Sequence, residues 1–156
     1  MPTVEKSLLV DTFPSELGWM AILSDGEKLV QLTFGHSSPK EAIAKLDAVD
    51  IHTSFEGGWN PEAIARLQAF AEGADVDLSD IPLDLGKVTA FQQRVFDMCR
   101  QIPYGQTLTY GELAKRIGQP RAARAVGNTM ARNNLPLVIP CHRVVPACAG
   151  IGDYSA

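Results

Sequence analysis

The first half of the chain contains two kinds of hydrophobic pattern. Residues 18–34, GWMAILSDGEKLVQLTF, hold two runs of strand-forming side chains on either side of an Asp-Gly pair, and this pattern predicts a β-hairpin. Residues 39–48 and 60–72 instead repeat their apolar side chains at helical spacing, each with a proline where the first turn would begin. These segments together predict a small α/β domain with an antiparallel sheet.

The pattern of the second half begins with a helix. Thr89 and Gln92 have the spacing of a capping box just before FQQRVFDMCR. The apolar residues of this run fall on one helical face: Phe91, Val95, Met98, Cys99 and Ile102. Cys99 is therefore expected to be a small buried hydrophobic residue. A Pro-Tyr-Gly turn at residues 103–105 should end the helix.

Two short helices are expected next, in a helix-turn-helix arrangement. Thr109 and Glu112 form a second capping box that opens GELAKRI, which stops at Gly118, and Pro120 is expected to start the helix RAARAVGNTMARN. The second helix has three arginines among small residues: Arg121, Arg124 and Arg132. Small side chains would let this helix lie close to DNA or close to the protein's own core, and both can hold on opposite faces.

The run LPLVIPCHRVV, residues 135–145, contains the candidate reactive group. Its apolar, β-branched part predicts a buried strand that ends at Cys141, next to His142 and Arg143. The thiolate is the nucleophilic form of cysteine, and neighbouring cations favour it. A nearby histidine can accept the thiol proton directly or through a water. These residues alone fit either a nucleophile or a buried structural cysteine with polar neighbours.

Composition narrows the class of protein. The 156 residues are 46% hydrophobic and 21% charged, as in folded globular domains, and no apolar run reaches the ~18 residues of a membrane helix. The N-terminus lacks the layout of a secretory signal. Three cysteines and three histidines show no CxxC pair and no ligand-type spacing, so we expect no disulfide framework and no metal site. A soluble cytoplasmic protein is expected, or a nuclear one in a eukaryote.

Charge divides the chain into two unlike parts. Residues 1–86 carry five Lys/Arg against fifteen Asp/Glu, a net charge of −10, whereas residues 87–156 carry nine against three, a net charge of +6. This asymmetry favours a nucleic-acid face in the second part, although a chance distribution of charge would look the same. The sign of the net charge changes across the acidic, proline-containing segment 73–88, which is the expected linker.

The motifs of the second part resemble one family. FQQRVFDMCRQIPYGQTLTYGELA, RAARAVGNTMARNN, IPCHRVV and GDYS follow one another in the order and near the spacing of the O6-alkylguanine-DNA alkyltransferases, also called methylated-DNA–protein-cysteine S-methyltransferases. The resemblance covers residues 62–156, and the combination of IPCHRVV with RAARAVG is highly specific. The first 60 residues match the family only in outline.

The resemblance implies DNA repair by a single, irreversible transfer. The alkyl group would move from O6 of guanine in double-stranded DNA to Cys141, giving a stable thioether, so that each molecule reacts once. Because the lesion is stacked inside the duplex, the nucleotide must be flipped out, and the family approaches it from the minor groove. No cofactor is implied. Zinc is not expected either, because the N-terminal domain has no cysteine.

The resemblance also implies a role for each matching residue. Cys141 is the acceptor, and His142 takes the thiol proton through a water. Tyr110 crowds the phosphate to help rotate the base, and its hydroxyl faces the purine. Asn133 ties the recognition helix to the active site. Arg124 fills the gap that the flipped base leaves in the stack.

Further residues would form the pocket and the DNA-binding face. Val144 and Ser155 match positions that hold the guanine edge, and Tyr154 matches a neighbour that shapes the pocket. The DNA-binding set is completed by Arg121, Ala123 and Gly127.

The sequence departs from the family pattern at its C-terminal end. The family continues beyond the GDYS position with a Gly-rich turn and a helix whose glutamate hydrogen-bonds the active-site histidine, whereas this sequence stops at Ala156. Such a third group orients the imidazole, so we expect slower transfer or a less stable C-terminal domain if the sequence is complete. A truncated, inactive alkyltransferase is the alternative. Cys148 is expected to be a spectator.

Three classes of function stay open. A stoichiometric alkyltransferase is the leading interpretation. A lesion-binding protein of the alkyltransferase-like kind would lack the acceptor cysteine, and a helix-turn-helix transcription regulator would need an additional domain.

The expected fold is α/β in two domains. Residues 1–80 form the N-terminal domain, with a small antiparallel sheet and helices. Residues 81–156 form a mostly helical domain that binds DNA and accepts the alkyl group, with the family's C-terminal helix absent. We expect a monomer whose partner is double-stranded DNA containing O6-alkylguanine, with no membrane and no metal.

Overall fold

The hairpin predicted for residues 18–34 is present in the structure, as part of a four-stranded sheet. A computed structural model describes three parts of the chain: residues 8–46, 53–54 and 59–146. Strand β2 (Trp19–Ser24) and strand β3 (Leu29–His36) pair antiparallel. This pairing confirms the hairpin that the two strand-forming runs predict.

The turn between these strands is built by its polar residues. One carboxylate oxygen of Asp25 accepts hydrogen bonds from the backbone N–H groups of Glu27 and Lys28, at 2.9 and 2.7 Å. Gly26 has a φ of +92°, which lies in the left-handed region where a side chain would be strained. The Asp-Gly pair therefore fixes the register of the hairpin.

Two further strands complete the sheet. Strand β1 (Leu8–Phe13), which the sequence pattern did not predict, pairs antiparallel with β2, and β4 (Thr53–Ser54) pairs parallel with β1. The strand order is β3-β2-β1-β4. The helix α1 (Pro39–Ala44) contributes Ala42 to a core shared with the sheet. The buried members of this core are Val10, Ala21, Leu23, Ala42 and Leu46.

Both predicted helices of this part are present, one of them shorter than expected. The helix α2 (Pro61–Ala71) is capped by Asn60, whose side-chain oxygen accepts from the N–H of Ala63 at 3.1 Å, as predicted. The helix α1 ends at Ala44 instead of near residue 48, because the chain turns there to bury Leu46 in the core.

The chain divides into two compact units, Met1–Gly86 and Lys87–Ala156. The division lies inside the segment 73–88, where the sign of the charge changes. The mixed α/β architecture confirms the fold class: in the first unit β1, β2 and β3 form a small antiparallel sheet, which β4 extends in parallel, and the second unit is mostly helical. No helix in the described parts of the chain is long and apolar enough to span a membrane.

The second unit begins with the predicted helix. Helix α3 (Ala90–Arg100) starts at a complete capping box: Thr89 accepts from the N–H of Gln92 at 3.0 Å, and the Gln92 side chain accepts from the N–H of Thr89 at 2.9 Å. Its buried face includes Val95 and Cys99. Local hydrogen bonding and apolar spacing therefore specify this helix together.

The helix-turn-helix is formed by α4 (Tyr110–Arg116) and α5 (Ala123–Met130). The second capping box, at Thr109, is present as predicted. The expected start of the next helix at Pro120 is wrong. Pro120 instead lies in a turn closed by the N–H of Ala122 and the carbonyl of Gln119, at 3.0 Å, a position where proline is favoured.

The buried strand expected before Cys141 is also absent. Residues 135–139 are largely buried, but they close on themselves: the N–H of Ile139 donates to the carbonyl of Leu135 at 2.8 Å. Leu137 has a φ of +72°. Pro136 and Pro140 have no N–H to offer a strand ladder, so this apolar run folds as a compact turn.

Candidate active site

Cys141 lies at the start of a single 3₁₀ turn, Cys141–Arg143, which we call the Cys-His-Arg turn. The N–H of Cys141 donates to the carbonyl of Ile139 at 2.7 Å, and the N–H of Arg143 donates to the carbonyl of Pro140 at 2.9 Å. Cys141 and His142 are both half-buried, and Cys141 is a free thiol. The sulfur therefore belongs to a turn in which the N–H groups of Cys141 and Arg143 are both hydrogen-bonded.

A short parallel strand pair joins this turn to the helix-turn-helix. Strand β6 (Val144–Val145) follows the Cys-His-Arg turn directly, and β5 (Leu108–Thr109) precedes α4. Leu108 faces Val144 in the register, and Thr109 faces Val145. Val144 is 1% exposed. Because Thr109 is also the N-cap of α4, the start of this helix is positioned by the same strand pair as the turn.

Asn133 connects the end of α5 to the same turn. Its side-chain amide donates to the carbonyl of Ile139 at 2.9 Å, and its amide oxygen accepts from the N–H of Leu135 at 2.8 Å. One side chain thus closes both ends of the buried segment that leads into Cys141.

Arg143 makes the third connection, to the end of α3. Its Nη1 donates to the carbonyl of Ile102 at 2.7 Å, and the guanidinium carbon lies 5.7 Å from the centre of the Tyr104 ring. A cation is favourable beside the carbonyl groups at the end of a helix. The sequence indicates Arg143 only as a cation next to the cysteine. Its partners Ile102 and Tyr104 are distant in the sequence, and no local pattern predicts them.

The pKa values of two titratable groups at the site are shifted in opposite directions. Burial lowers the pKa of His142, and the positive charge of Arg143 lowers it further. The imidazole is therefore neutral at physiological pH and able to accept a proton. Burial raises the pKa of Cys99 to about 12, with a smaller contribution from Cys141. Cys99 stays protonated in the core, which confirms its predicted burial.

Tyr110 packs directly against α5. A β-carbon added to Gly127 would lie 3.3 Å from Cε2 of the Tyr110 ring, closer than side chains normally approach. Gly127, expected from the resemblance to contact DNA, is thus also the position that admits this ring. The two helices of the helix-turn-helix meet at this contact.

The exposed face of the helix-turn-helix is basic. Arg121, Arg124 and Arg132 are exposed, as are Lys115 and Arg116 in α4. Ala123, the first residue of α5, is half-buried. In the described part of this unit the acidic residues are Asp97 and Glu112.

The structure brings only part of the predicted site together. Cys141, His142 and Val144 share one continuous segment, which Asn133 and the residue before Tyr110 contact. Arg121 and Arg124 belong to the exposed face. Tyr154, Ser155 and Cys148 lie outside the described residues. Within the described ranges, no group of three His, Cys, Asp or Glu side chains could hold a metal ion.

Comparison with known sequences identifies the class to which this unit belongs. A family model described as "6-O-methylguanine DNA methyltransferase, DNA binding domain" matches residues 90–156. The methylated-DNA–protein-cysteine methyltransferase of Mycobacterium leprae is 39% identical over 128 residues, which span 78% of this chain and 74% of that protein. The protein of the same name from Methanosarcina acetivorans is 34% identical over 145 residues, spanning 92% of this chain and 87% of that protein.

Solved structures agree with the sequence comparison. The crystal structure of Mycobacterium tuberculosis OGT in complex with DNA has a TM-score of 0.74 and 33% identity, and the match covers 94% of this chain and 83% of that one. An O6-methylguanine DNA methyltransferase from Methanococcus jannaschii has a TM-score of 0.64 and 27% identity, with 94% and 84% covered. The chain belongs to the methylated-DNA–protein-cysteine methyltransferase family. The names of its relatives favour alkyl transfer over the lesion-binding alternative.

Replacing Gly127 by alanine tests the contact between the two helices. Alanine in a helix is normally favoured over glycine by about 1 kcal/mol, but here the added methyl group must displace the Tyr110 ring. We expect Gly127→Ala to gain little stability or to lose some, measured by denaturant unfolding. Gly111→Ala is the matched control, because its added β-carbon would come no closer than 3.9 Å to a neighbouring side chain, at Oγ1 of Thr109. Equal stabilisation by both variants would contradict the contact.

Proposed function

We propose that Cys141 is the residue that accepts the alkyl group, in the family's repair of O6-alkylguanine in DNA. The observation that supports this most is the position of the thiol. Cys141 is half-buried at the start of a turn that three other segments hold in place, and a neutral histidine follows it directly. Cys99, the other described cysteine, is fully buried and protonated.

The reaction is a displacement at the alkyl carbon. The sulfur of Cys141 attacks this carbon, a sulfur–carbon bond forms, and the bond between the carbon and O6 breaks with its electron pair passing to guanine. The thiol proton moves through a water to the neutral imidazole of His142. The departing guanine takes up a proton, which makes it a better leaving group. In net terms, the thiol proton passes to the repaired guanine and His142 returns to its neutral form. The thioether is stable, so one molecule repairs one lesion.

The helix-turn-helix supplies the DNA contacts. The exposed arginines of the α5 region suit phosphate and groove binding, and Arg124 would occupy the space left by the flipped nucleotide, with Arg121, Ala123 and Gly127 on the same DNA-facing surface. Tyr110 begins α4 beside the strand pair that ends the Cys-His-Arg turn. A nucleotide rotated past this tyrosine would approach the acceptor.

The remaining contacts complete the pocket. The backbone of Val144, together with Tyr154 and Ser155, would hold the guanine edge and shape the site. Asn133 would keep the acceptor segment attached to the recognition helix. We expect the protein to bind the lesion as a monomer and to need no metal.

Intact-mass measurement with peptide mapping tests the acceptor. After mixing with a duplex oligonucleotide that contains O6-methylguanine, Cys141 should gain the mass of one methylene group at one equivalent of lesion. Cys141→Ser should abolish the gain, and Cys148→Ser should leave it unchanged. A gain on another residue would contradict the assignment. Tight binding without any gain would instead identify a lesion-binding protein.

Replacing Arg124 by alanine tests base flipping. The variant should repair duplex DNA at least about tenfold more slowly, equivalent to about 1.4 kcal/mol, while its reaction with free O6-alkylguanine changes little, because the free base needs no support from the stack. Single-turnover rates on both substrates measure the difference. Arg121→Ala is the control. This variant should bind DNA more weakly and its binding should depend less on salt, but with saturating protein its transfer rate should not fall selectively on the duplex. Equal losses on both substrates for Arg124→Ala would refute the role.

A further inference from the structure

We propose that Arg143 is a positioning residue for the transfer: its guanidinium fixes the Cys-His-Arg turn against the end of α3 and keeps His142 available as a base. This inference rests on the proposed roles of Cys141 and His142. It assigns to Arg143 a function in the chemistry that is separate from DNA binding, although Arg143 is one of the nine Lys/Arg of the basic part of the chain.

The first part of the role is mechanical. The carbonyl of Ile102 belongs to a residue that is only 4% exposed, and it accepts the hydrogen bond from Arg143 at 2.7 Å. The N–H of Ile102 donates to the carbonyl of Cys99 at 3.1 Å, so the accepting group is itself fixed to the last turn of α3. The Tyr104 ring lies beside the planar guanidinium and limits its orientation. The turn therefore cannot rotate without breaking a charge-assisted hydrogen bond.

The second part is electrostatic. His142 follows Cys141 and precedes Arg143, so protonation of the imidazole would place two cations side by side. Burial is the larger cause of the lowered His142 pKa, and the charge of Arg143 is the other. A base must be neutral to accept a proton, so this arrangement extends the active range of His142 toward acid.

The other titratable groups near the turn do not supply this charge. From α3, Cys99 is protonated, because burial raises its pKa to about 12. Arg94 and Asp97 of this helix are exposed and Arg100 is half-buried, and the charge that lowers the pKa of His142 is that of Arg143. The turn after α3 contributes Tyr104, and the first residue of α4 is Tyr110. The strands β5 and β6 carry no titratable side chain. The charged side chains of α4 are all exposed: Glu112, Lys115 and Arg116.

Two substitutions separate the mechanical part from the electrostatic part. Arg143→Gln removes the charge, so the pKa of His142 should rise and the acid limb of the transfer rate should move to higher pH. Arg143→Lys keeps the charge but loses the planar group beside Tyr104, so the rate should fall at every pH while the acid limb stays in place. Tyr104→Leu should behave like Arg143→Lys. Single-turnover rates across the pH range measure both effects.

An NMR titration of the His142 imidazole gives a readout that does not require activity. Its midpoint should rise in Arg143→Gln and stay low in Arg143→Lys. An unmoved midpoint together with a uniform loss of rate in Arg143→Gln would overturn the proposal and leave Arg143 a purely structural residue. If the wild type transfers no alkyl group but the midpoint still moves, the proposed function fails while the effect of Arg143 on His142 stands.

A further measurement covers the case in which Arg143→Gln does not fold, as circular dichroism would reveal. Added salt screens the repulsion between two cations, so the His142 midpoint of the wild type should rise with ionic strength. A midpoint that does not rise with ionic strength would overturn the electrostatic part.

Discussion

The carbonyl group of Ile139 holds the site together. It accepts two hydrogen bonds, from the N–H of Cys141 at 2.7 Å and from the side chain of Asn133 at 2.9 Å. Ile139 is fully buried, and a buried carbonyl that loses a partner costs about 1–3 kcal/mol. Asn133 follows α5, so the position of this helix and the position of the Cys141 thiol both depend on one carbonyl oxygen. The proposed transfer would use this arrangement, because the helix proposed to face DNA and the thiol belong to one hydrogen-bonded unit.

Three more connections link the helices of the second unit to the Cys-His-Arg turn. The β5–β6 pair ties the start of α4 to the end of the Cys-His-Arg turn, and the close contact between Gly127 and Tyr110 ties α4 to α5. Arg143 adds a bond to the end of α3. Each described helix of the second unit therefore has a link, direct or through a neighbour, to the segment that carries the thiol. The proposed single transfer to Cys141 would gain from such rigidity, because the thiol would be used only once.

Interactions between close neighbours in the sequence were the ones that could be predicted. Both capping boxes, the Asp-Gly hairpin and the Asn60 cap depend on residues within a few positions of one another, and all are present. The apolar run before Cys141 could not be assigned from its pattern, because burial on all sides gives the same composition in a strand and in a compact turn. The partner of Arg143 lies 41 residues away, beyond any local pattern. The DNA-facing roles came from resemblance to the family, not from spacing.

Amide hydrogen exchange at Cys141 and Val144 measures the preorganisation of the turn most directly. Both N–H groups are paired within the turn, so in the free protein they should exchange far more slowly than the exposed Thr107 amide. Asn133→Ala should accelerate their exchange by about tenfold or more, and Asn134→Ala, at the exposed neighbouring position, should not. Fast exchange at Cys141 in the wild type, or equal effects of the two substitutions, would contradict a turn held by Asn133.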